Sequence, residues 1–179
     1  MPRHLPFLAW ASFAFSADQW SKWAAVRLLV EGPLPREPAH ILSGTWPVTD
    51  AWLNLRVGGN RGAAMGLAGE LPPLQHGLLF AGVAVIAVAV VWFLYRRAHG
   101  HRALQWGLAL MLGGSLGNLV DRVNHGYVVD FLQITAGASA LPTFNLADVA
   151  IAVGAVLLLL DARRLGRPRG EPPRAVTAG

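Results

Sequence analysis

The sequence predicts an all-α integral membrane protein with four transmembrane helices, both termini in the cytoplasm and a small β element outside the membrane. Of the 179 residues, 54% are hydrophobic and 14% are charged, and the mean hydropathy of +0.42 is too high for an ordinary soluble domain. Four segments reach the length of about 20 residues that a membrane span needs. Little of the chain is left for a separate soluble domain.

The first predicted span covers residues 5–29. It contains Asp18 and Lys22 and has no clear small-residue cleavage site, so we interpret it as a retained span rather than a signal peptide. Asp18 and Lys22 lie one helical turn apart. A stabilising pair between them, with Lys22 extending outward to the membrane surface, is the structural alternative to a role in chemistry.

The loop that follows, residues 30–73, is too long for a bare connector. It contains a strand-like run, AWLNLRV, directly before the turn GGNRG. We therefore expect a small β element on the membrane surface. Trp46 and Trp52 are expected at the level of the lipid headgroups, where an amphipathic ring is favoured.

Three further spans are predicted at residues 74–95, 103–123 and 144–160. The span at residues 74–95 is apolar almost throughout, whereas the other three carry polar groups that are costly in hydrocarbon and mark an interior or a site. We expect one four-helix membrane domain over residues 1–165. The tail of residues 166–179 is basic and rich in Pro and Gly, and we expect it to be disordered in the cytoplasm.

The positions of Lys and Arg predict the orientation, because short cytoplasmic loops retain basic residues. In the first outer loop the basic residues are balanced by acidic ones, and residues 124–142 contain no Lys or Arg. The net charge of +5 and the pI near 11.0 therefore reflect topology, and no nucleic-acid partner is expected. Nine of the 15 basic residues fall on the cytoplasmic side: Arg3, Arg96, Arg97, Arg102, Arg163, Arg164, Arg167, Arg169 and Arg174.

Acidic side chains from three spans are expected at a similar depth in the outer part of the membrane. At a helical rise of about 1.5 Å per residue, Asp18, Asp121 and Asp148 reach this level together. Asn118 shares a helix face with Asp121, and Asn145 shares one with Asp148, because each pair is three residues apart. The small residues of the run GGSLGN allow a neighbour to approach closely at the same level.

A fourth aspartate, Asp130, lies nine residues after Asp121 in the run GYVVDF. Its apolar flanks predict a short segment that dips back to the membrane surface, near Asp148. Two carboxyl groups in a partly desolvated site share one proton, so one can act as base and the other as acid. The chain has no cysteine, which excludes a thiol nucleophile, a thiolate metal site and disulfides.

Several of these residues have structural alternatives. Asp121 and Arg122 can form an interfacial ion pair at the end of the third span, and Asn145 can cap the fourth helix. The six histidines show no metal-ligand spacing, so neither a metal site nor a cofactor is expected.

Other classes of function also use acids inside a membrane. A small proton-coupled transporter or channel subunit would use them as a relay, but transporters commonly show repeated halves, and this sequence shows no repeat. A purely structural subunit would tolerate amides in place of the acids. A metal-dependent hydrolase is disfavoured because the sequence contains no HExxH motif.

Four motifs carry a family resemblance: DQWSK at residues 18–22, GNRGAAMG at 59–66, GGSLGNLVDRVNHGYVVDF at 113–131 and FNLADVAI at 144–151. In them the sequence resembles the signal peptidase II family, the bacterial lipoprotein signal peptidases. The resemblance implies an aspartyl endopeptidase that removes a prolipoprotein signal peptide by cutting just before a diacylglyceryl-modified cysteine. It also implies that the β element forms an extracytoplasmic cradle, accompanied by a short amphipathic helix.

The resemblance also implies roles for single positions. Asp130 and Asp148 resemble the catalytic pair, which works without a metal. Asp18 resembles a structural aspartate of the first helix, with Lys22 as its partner. Asn60 and Arg122 resemble contacts to the substrate backbone. The residues that would support the pair are Asn118, Asp121, Arg122 and Asn145.

The same resemblance implies a multi-pass protein of the bacterial inner membrane with its active site toward the periplasm. The expected partners are diacylglyceryl-prolipoprotein substrates, membrane lipid and globomycin-type inhibitors, and we expect a monomer. Two features depart from the family pattern: Met65 replaces an aromatic residue, and the stretch of residues 31–50 is longer than usual. Both lie in the outer loop, away from the predicted catalytic pair.

Overall fold

The computed structural model describes residues 4–41, 43–49, 52–61, 73–98, 101–136 and 139–165. The described chain forms four long helices, a small antiparallel sheet and a single-turn 3-10 helix, Pro38–His40. The helices are α1 (Leu5–Leu29), α2 (Pro73–Arg97), α3 (Arg102–His125) and α4 (Leu146–Leu165), and the strands are β1 (Trp46–Pro47), β2 (Leu53–Asn60), β3 (Val128–Ala136) and β4 (Ser139–Ala140).

Each of the four ranges predicted as spans is occupied by a helix. α1 has the predicted bounds, and Pro6 lies in its first turn, where a missing N–H costs nothing. α3 ends because Gly126 adopts a left-handed conformation with φ of 79°, and its N–H donates to the carbonyl oxygen of Arg122. α4 begins at Leu146, slightly later than predicted.

The third helix, α3, packs against each of the other three. Its glycines make this packing possible. A side chain at Gly113 would overlap the backbone of α1 at Ala11, and one at Gly114 would overlap the backbone of α4 at Ala147. The close approach that the run GGSLGN predicted is therefore present on two sides of α3.

The outward faces of the helices are apolar, and exposed apolar surface of this extent is rare on soluble monomers. Within the described part of the chain, one helix, α3, is both long enough and apolar enough to suit a membrane span. It has 24 residues, and its most apolar window has a mean hydropathy of 1.2 with at most two charged residues. Large exposed side chains include Trp10, Phe13, Trp20, Trp23 and Leu28 on α1, Val83, Ile86, Val90 and Phe93 on α2, and Val153, Val156, Leu159 and Leu160 on α4.

The sheet joins two segments that are far apart in the sequence. Its strand order is β1-β2-β3-β4 with antiparallel pairing, and β2 from the first loop pairs with β3, which follows α3. Gly58 lies opposite Asp130, and Asn60 lies opposite Val128. The expectation that the run GYVVDF only dips to the surface is therefore incomplete. From Val128 onward it forms β3, and this strand pairs with the edge of β2 that β1 does not cover.

Some expectations for the outer loop and the tail stay predictions. Over residues 30–61, as far as they are described, the only helical segment is the 3-10 turn, which is too short to be the amphipathic helix. Trp46 and Trp52 are exposed, at 59% and 52%, but their depth relative to lipid is untested. Met65 and the tail of residues 166–179 lie outside the described residues.

The buried core has two apolar clusters. One contains Phe7, Tyr95 and Leu108, and the other contains Leu29 and Phe131 with the residues around them. Along α1 and α3, buried polar side chains lie between these clusters. This polar layer consists of Asp18, Lys22, Asn118, Asp121, Asp130 and Asn145.

Candidate active site

Asp130 lies near the start of β3 with its side chain fully buried. Its Oδ1 accepts a hydrogen bond of 2.6 Å from Asn145 Nδ2, and its Oδ2 accepts one of 3.0 Å from Asn60 Nδ2. Burial raises the pKa of Asp130 to about 7 against the hydrogen bond from Asn60, and the Asp148 carboxylate adds to the rise. The hydrogen bond from Asn145 and the charge of Lys22 oppose it.

Asp148 lies in the first turn of α4, and the helix terminus fixes its carboxyl group. Its Oδ1 accepts a hydrogen bond of 3.0 Å from Asn118 Nδ2, and its Oδ2 accepts one of 3.2 Å from the backbone N–H of Asn145. In return, the backbone N–H of Asp148 donates to Asn145 Oδ1 at 3.0 Å. This reciprocal pair is a capping box. The capping role considered for Asn145 is therefore present, and it positions Asp148.

Asn145 connects the two predicted catalytic residues. It is fully buried, and the same side chain donates to Asp130 and accepts from the backbone of Asp148. Its Nδ2 also lies 3.2 Å from Asn118 Oδ1 and 3.3 Å from the carbonyl oxygen of Val129. One amide thus brings Asp130 on β3 and Asp148 on α4 into a single hydrogen-bonded network.

A buried lysine lies behind this network. Lys22 Nζ contacts Asp18 Oδ2 at 2.8 Å, Asp121 Oδ2 at 2.9 Å and Asn118 Oδ1 at 3.0 Å. The pair with Asp18 forms as expected, but the expectation that Lys22 extends outward is wrong, because the residue is only 4% exposed. One carboxylate from its own helix, Asp18, and one from α3, Asp121, offset the cost of burying its ammonium group.

The other two acids tie helices to the site. Asp18 Oδ1 accepts a hydrogen bond of 2.9 Å from the backbone N–H of Ala147 and so joins α1 to the first turn of α4. Asp121 Oδ2 accepts 3.0 Å from the backbone N–H of Val129 and so joins α3 to β3. Asp121 also forms an ion pair with Lys22, and it interacts electrostatically with its chain neighbour Arg122.

Arg122 and Asn60, the predicted contacts to substrate, border the pair. Arg122 is half-buried, donates 3.1 Å to the carbonyl oxygen of Asn118, and interacts electrostatically with Asp148, Asp121 and Asp130. Asn60 is exposed at the end of β2 while it holds Asp130. Both residues can therefore reach a ligand, and their contact with substrate stays a prediction.

Gln19 was missed by the sequence analysis. Its Nε2 lies 3.1 Å from Asp121 Oδ1, 3.2 Å from Asp18 Oδ2 and 3.2 Å from the carbonyl oxygen of Gly117. It therefore links the acids of α1 and α3. The available signal was its place beside Asp18 in the motif DQWSK, since an amide at membrane depth is costly unless it is bonded.

A groove of about 910 Å³ opens onto Asp130. It is lined by the end of β2, by β3 and by two loop segments around residues 38–41 and 141–143. Asp130 is therefore part of the groove wall, although the residue itself is fully buried. Among the described residues, no group of three or more His, Cys, Asp or Glu side chains is arranged to hold a metal ion.

Comparison with known proteins gives consistent matches. Residues 10–164 match the family model described as signal peptidase (SPase) II. The lipoprotein signal peptidase of Acinetobacter baylyi is 36% identical over 170 residues, which cover 94% of this chain and 87% of that protein. The lipoprotein signal peptidase of Burkholderia cenocepacia (strain HI2424) is 40% identical over 166 residues, which cover 92% and 90%.

Two solved structures of bacterial membrane enzymes have a similar fold. One superposes with a TM-score of 0.74 at 24% identity and covers 93% of both chains. The other superposes with a TM-score of 0.72 at 25% identity and covers 88% of this chain and 92% of the other.

Proposed function

Because the chain belongs to the signal peptidase II family, we propose that it is a membrane aspartyl endopeptidase that removes the signal peptide from diacylglyceryl-modified prolipoproteins. The cut falls just before the lipidated cysteine of the substrate. The observation that carries the proposal is the buried amide of Asn145, which donates to Asp130 and caps the helix turn that holds Asp148.

In the proposed reaction, Asp130 starts protonated and Asp148 starts ionised. The pKa of Asp130, which burial raises to about 7, supports this assignment. Asp148 takes a proton from a water as the water oxygen attacks the scissile carbonyl carbon, and Asp130 gives its proton to the carbonyl oxygen. The C–N bond then breaks, the leaving amine receives the proton held by Asp148, and Asp130 recovers its proton from the hydroxyl group.

The surrounding residues hold this geometry in the proposal. Asn118 donates to Asp148 and accepts from Lys22, so it relays the position of the buried ion pair to one of the two carboxyl groups. Asn60 and Arg122 bind the substrate backbone. A preorganised arrangement of this kind lowers the barrier because little reorientation is needed during the reaction.

We further propose that all four helices cross the bacterial inner membrane, with both termini in the cytoplasm and the groove toward the periplasm. α1, α2 and α3 have 24 or 25 residues, and at about 1.5 Å per residue each exceeds a hydrocarbon core of about 30 Å. The exposed apolar faces supply the lipid contacts. The chain acts as a monomer, and globomycin-type inhibitors bind the groove.

The proposed activity can be tested with purified protein in detergent and a diacylglyceryl-modified prolipoprotein. We expect a single cut that leaves the lipidated cysteine as the new amino terminus, and we expect globomycin to block it. The same prolipoprotein without the lipid is the matched control and should stay intact. Cleavage of both forms alike, or of neither, would contradict the proposal.

A further inference from the structure

Residues 34–41 of the first loop run past the end of β2, and we name this segment the strap. Pro38, Ala39 and Ile41 of the strap line the groove that opens onto Asp130. The neighbouring His40 belongs to the same 3-10 turn but does not line the groove. The strap therefore presents some of its residues to the groove and others to solvent.

Two contacts from well-packed residues hold the strap in place. The hydroxyl group of Tyr127, which is only 1% exposed, donates 2.8 Å to the carbonyl oxygen of Pro35. Pro38 lies so close to Gly59 that a Cβ atom at position 59 would overlap it. The strap can therefore pack this closely against β2 only because residue 59 is a glycine.

A third contact is an ion pair of 2.6 Å between Glu37 and Arg61. Both side chains are partly exposed, at 49% and 32%, and ion pairs of this kind contribute little. The position of the strap therefore depends chiefly on Tyr127 and Gly59. Gly59 lies directly before Asn60 in β2, and Tyr127 lies directly before β3, which carries Asp130. The strap is therefore anchored to the same part of the sheet as the predicted catalytic carboxyl group.

We propose that the strap is a specificity determinant and that Ala39 limits the size of the substrate side chain that precedes the scissile bond. This inference rests on the proposed function. In the proposed substrate, the residue after the bond is fixed as the lipidated cysteine, so the variable side chain next to the bond is the one before it. Because the strap is held by Tyr127 and Gly59, added bulk at position 39 takes space from the groove.

The test compares Ala39→Phe with His40→Phe, which also places a phenylalanine in the strap but at the neighbouring position that does not line the groove. The substrates are diacylglyceryl-modified peptides with glycine, alanine or valine before the cysteine. Ala39→Phe should lower kcat/KM for the valine peptide by about ten-fold or more relative to the glycine peptide, whereas His40→Phe should keep the ratio within about two-fold.

A second variant checks the anchor. Tyr127→Phe removes the hydrogen bond to Pro35, so the strap can move outward and the relative kcat/KM for the valine peptide should rise. A purely structural role for Tyr127 would lower activity toward all three peptides equally. Peptide affinities for the Asp148→Asn variant provide the same ratios without turnover.

The outcomes separate the two claims. If the unaltered protein cleaves the peptides and Ala39→Phe shifts the valine-to-glycine ratio no more than His40→Phe does, the role of the strap is overturned while the proposed function stands. If the unaltered protein neither cleaves nor binds any of the peptides, the proposed function fails and the inference fails with it.

Discussion

The side chain of Asn145 uses both its amide and its carbonyl group inside the protein. Nδ2 donates 2.6 Å to Asp130, and Oδ1 accepts 3.0 Å from the backbone of Asp148. A buried amide is costly unless its hydrogen bonds are made. The fold is therefore most stable when the strand with Asp130 and the helix with Asp148 are both in place, which couples folding to the assembly of the carboxyl pair.

The pKa of Asp130 leads to a prediction of pH dependence. Below about pH 7 Asp130 keeps the proton that it must give to the carbonyl oxygen, and above it this proton is lost, so kcat/KM should fall as the pH rises through about 7. The hydrogen bond from Asn60 lowers this pKa. Asn60→Ala should therefore move the alkaline limb to higher pH.

The measurement is a profile of kcat/KM against pH, read at the midpoint of the alkaline limb because the loss of Asn60 also weakens substrate binding in the proposal. Asn54→Ala is the matched control, since Asn54 lies on the same strand and donates to Thr135 instead. An alkaline midpoint that is unchanged in Asn60→Ala, or lower, would rule out this role for Asp130.

Residue spacing predicted part of the site. The three-residue spacing of Asn118 and Asp121, and of Asn145 and Asp148, placed each pair on one helix face, and all four side chains lie in the network. The inward orientation of the Lys22 side chain could not be predicted from residue spacing, because its second carboxylate partner, Asp121, comes from another helix. Gln19 was missed for the same reason.

Among the elements, α1 holds the site together through one turn. Asp18 accepts the backbone N–H of Ala147 at the start of α4, and Lys22 pairs with Asp121 on α3. The same turn thus fixes α3 and α4 relative to each other. Removal of one member of a buried ion network leaves the remaining charges without compensation.

Lys22→Met should therefore destabilise the fold strongly. Its loss removes the ammonium group that contacts both buried carboxylates, Asp18 and Asp121, and the free energy of unfolding should fall by about 3–5 kcal/mol. Arg27→Met, on the same helix but exposed and in contact with the ring of Trp23, should cost less than about 1 kcal/mol. Denaturation in detergent measures both variants, and equal effects would show that the Lys22 network is not a stabilising element.

The sheet was the element least accessible to sequence reasoning. The run AWLNLRV correctly indicated a strand, which is β2. Its partner β3 lies about 70 residues later, as the contact between Asn60 and Asp130 illustrates, and the register of two distant strands is not set by a turn. The run GYVVDF is short and apolar, so its pairing could not be inferred from its own residues.

For the molecule as a whole, long apolar runs predicted the four helix ranges well, because an apolar run of membrane length is a strong signal in a sequence. Their packing around α3 depends on contacts between glycines and the backbones of other helices. Such contacts were indicated only in general terms by the run GGSLGN. The orientation in the membrane was predicted from the positions of Lys and Arg and stays a prediction.

Orientation can be tested by labelling single cysteines, because the natural chain has none. Glu31 and Arg102 are exposed at opposite predicted sides. A membrane-impermeant maleimide should label Glu31→Cys in intact spheroplasts and should label Arg102→Cys only after permeabilisation. Labelling of both before permeabilisation, or the reverse pattern, would refute the proposed topology.

The most direct test of the carboxyl pair is turnover of a diacylglyceryl-modified prolipoprotein by Asp130→Asn and Asp148→Asn. Asp161→Asn is the matched control, because Asp161 is a buried aspartate at the other end of α4 whose ion pair is with His101. We expect each of the first two variants to lose at least about 100-fold in kcat while they remain folded, and the control to keep its turnover. Near-normal cleavage by either Asp130→Asn or Asp148→Asn would contradict the account.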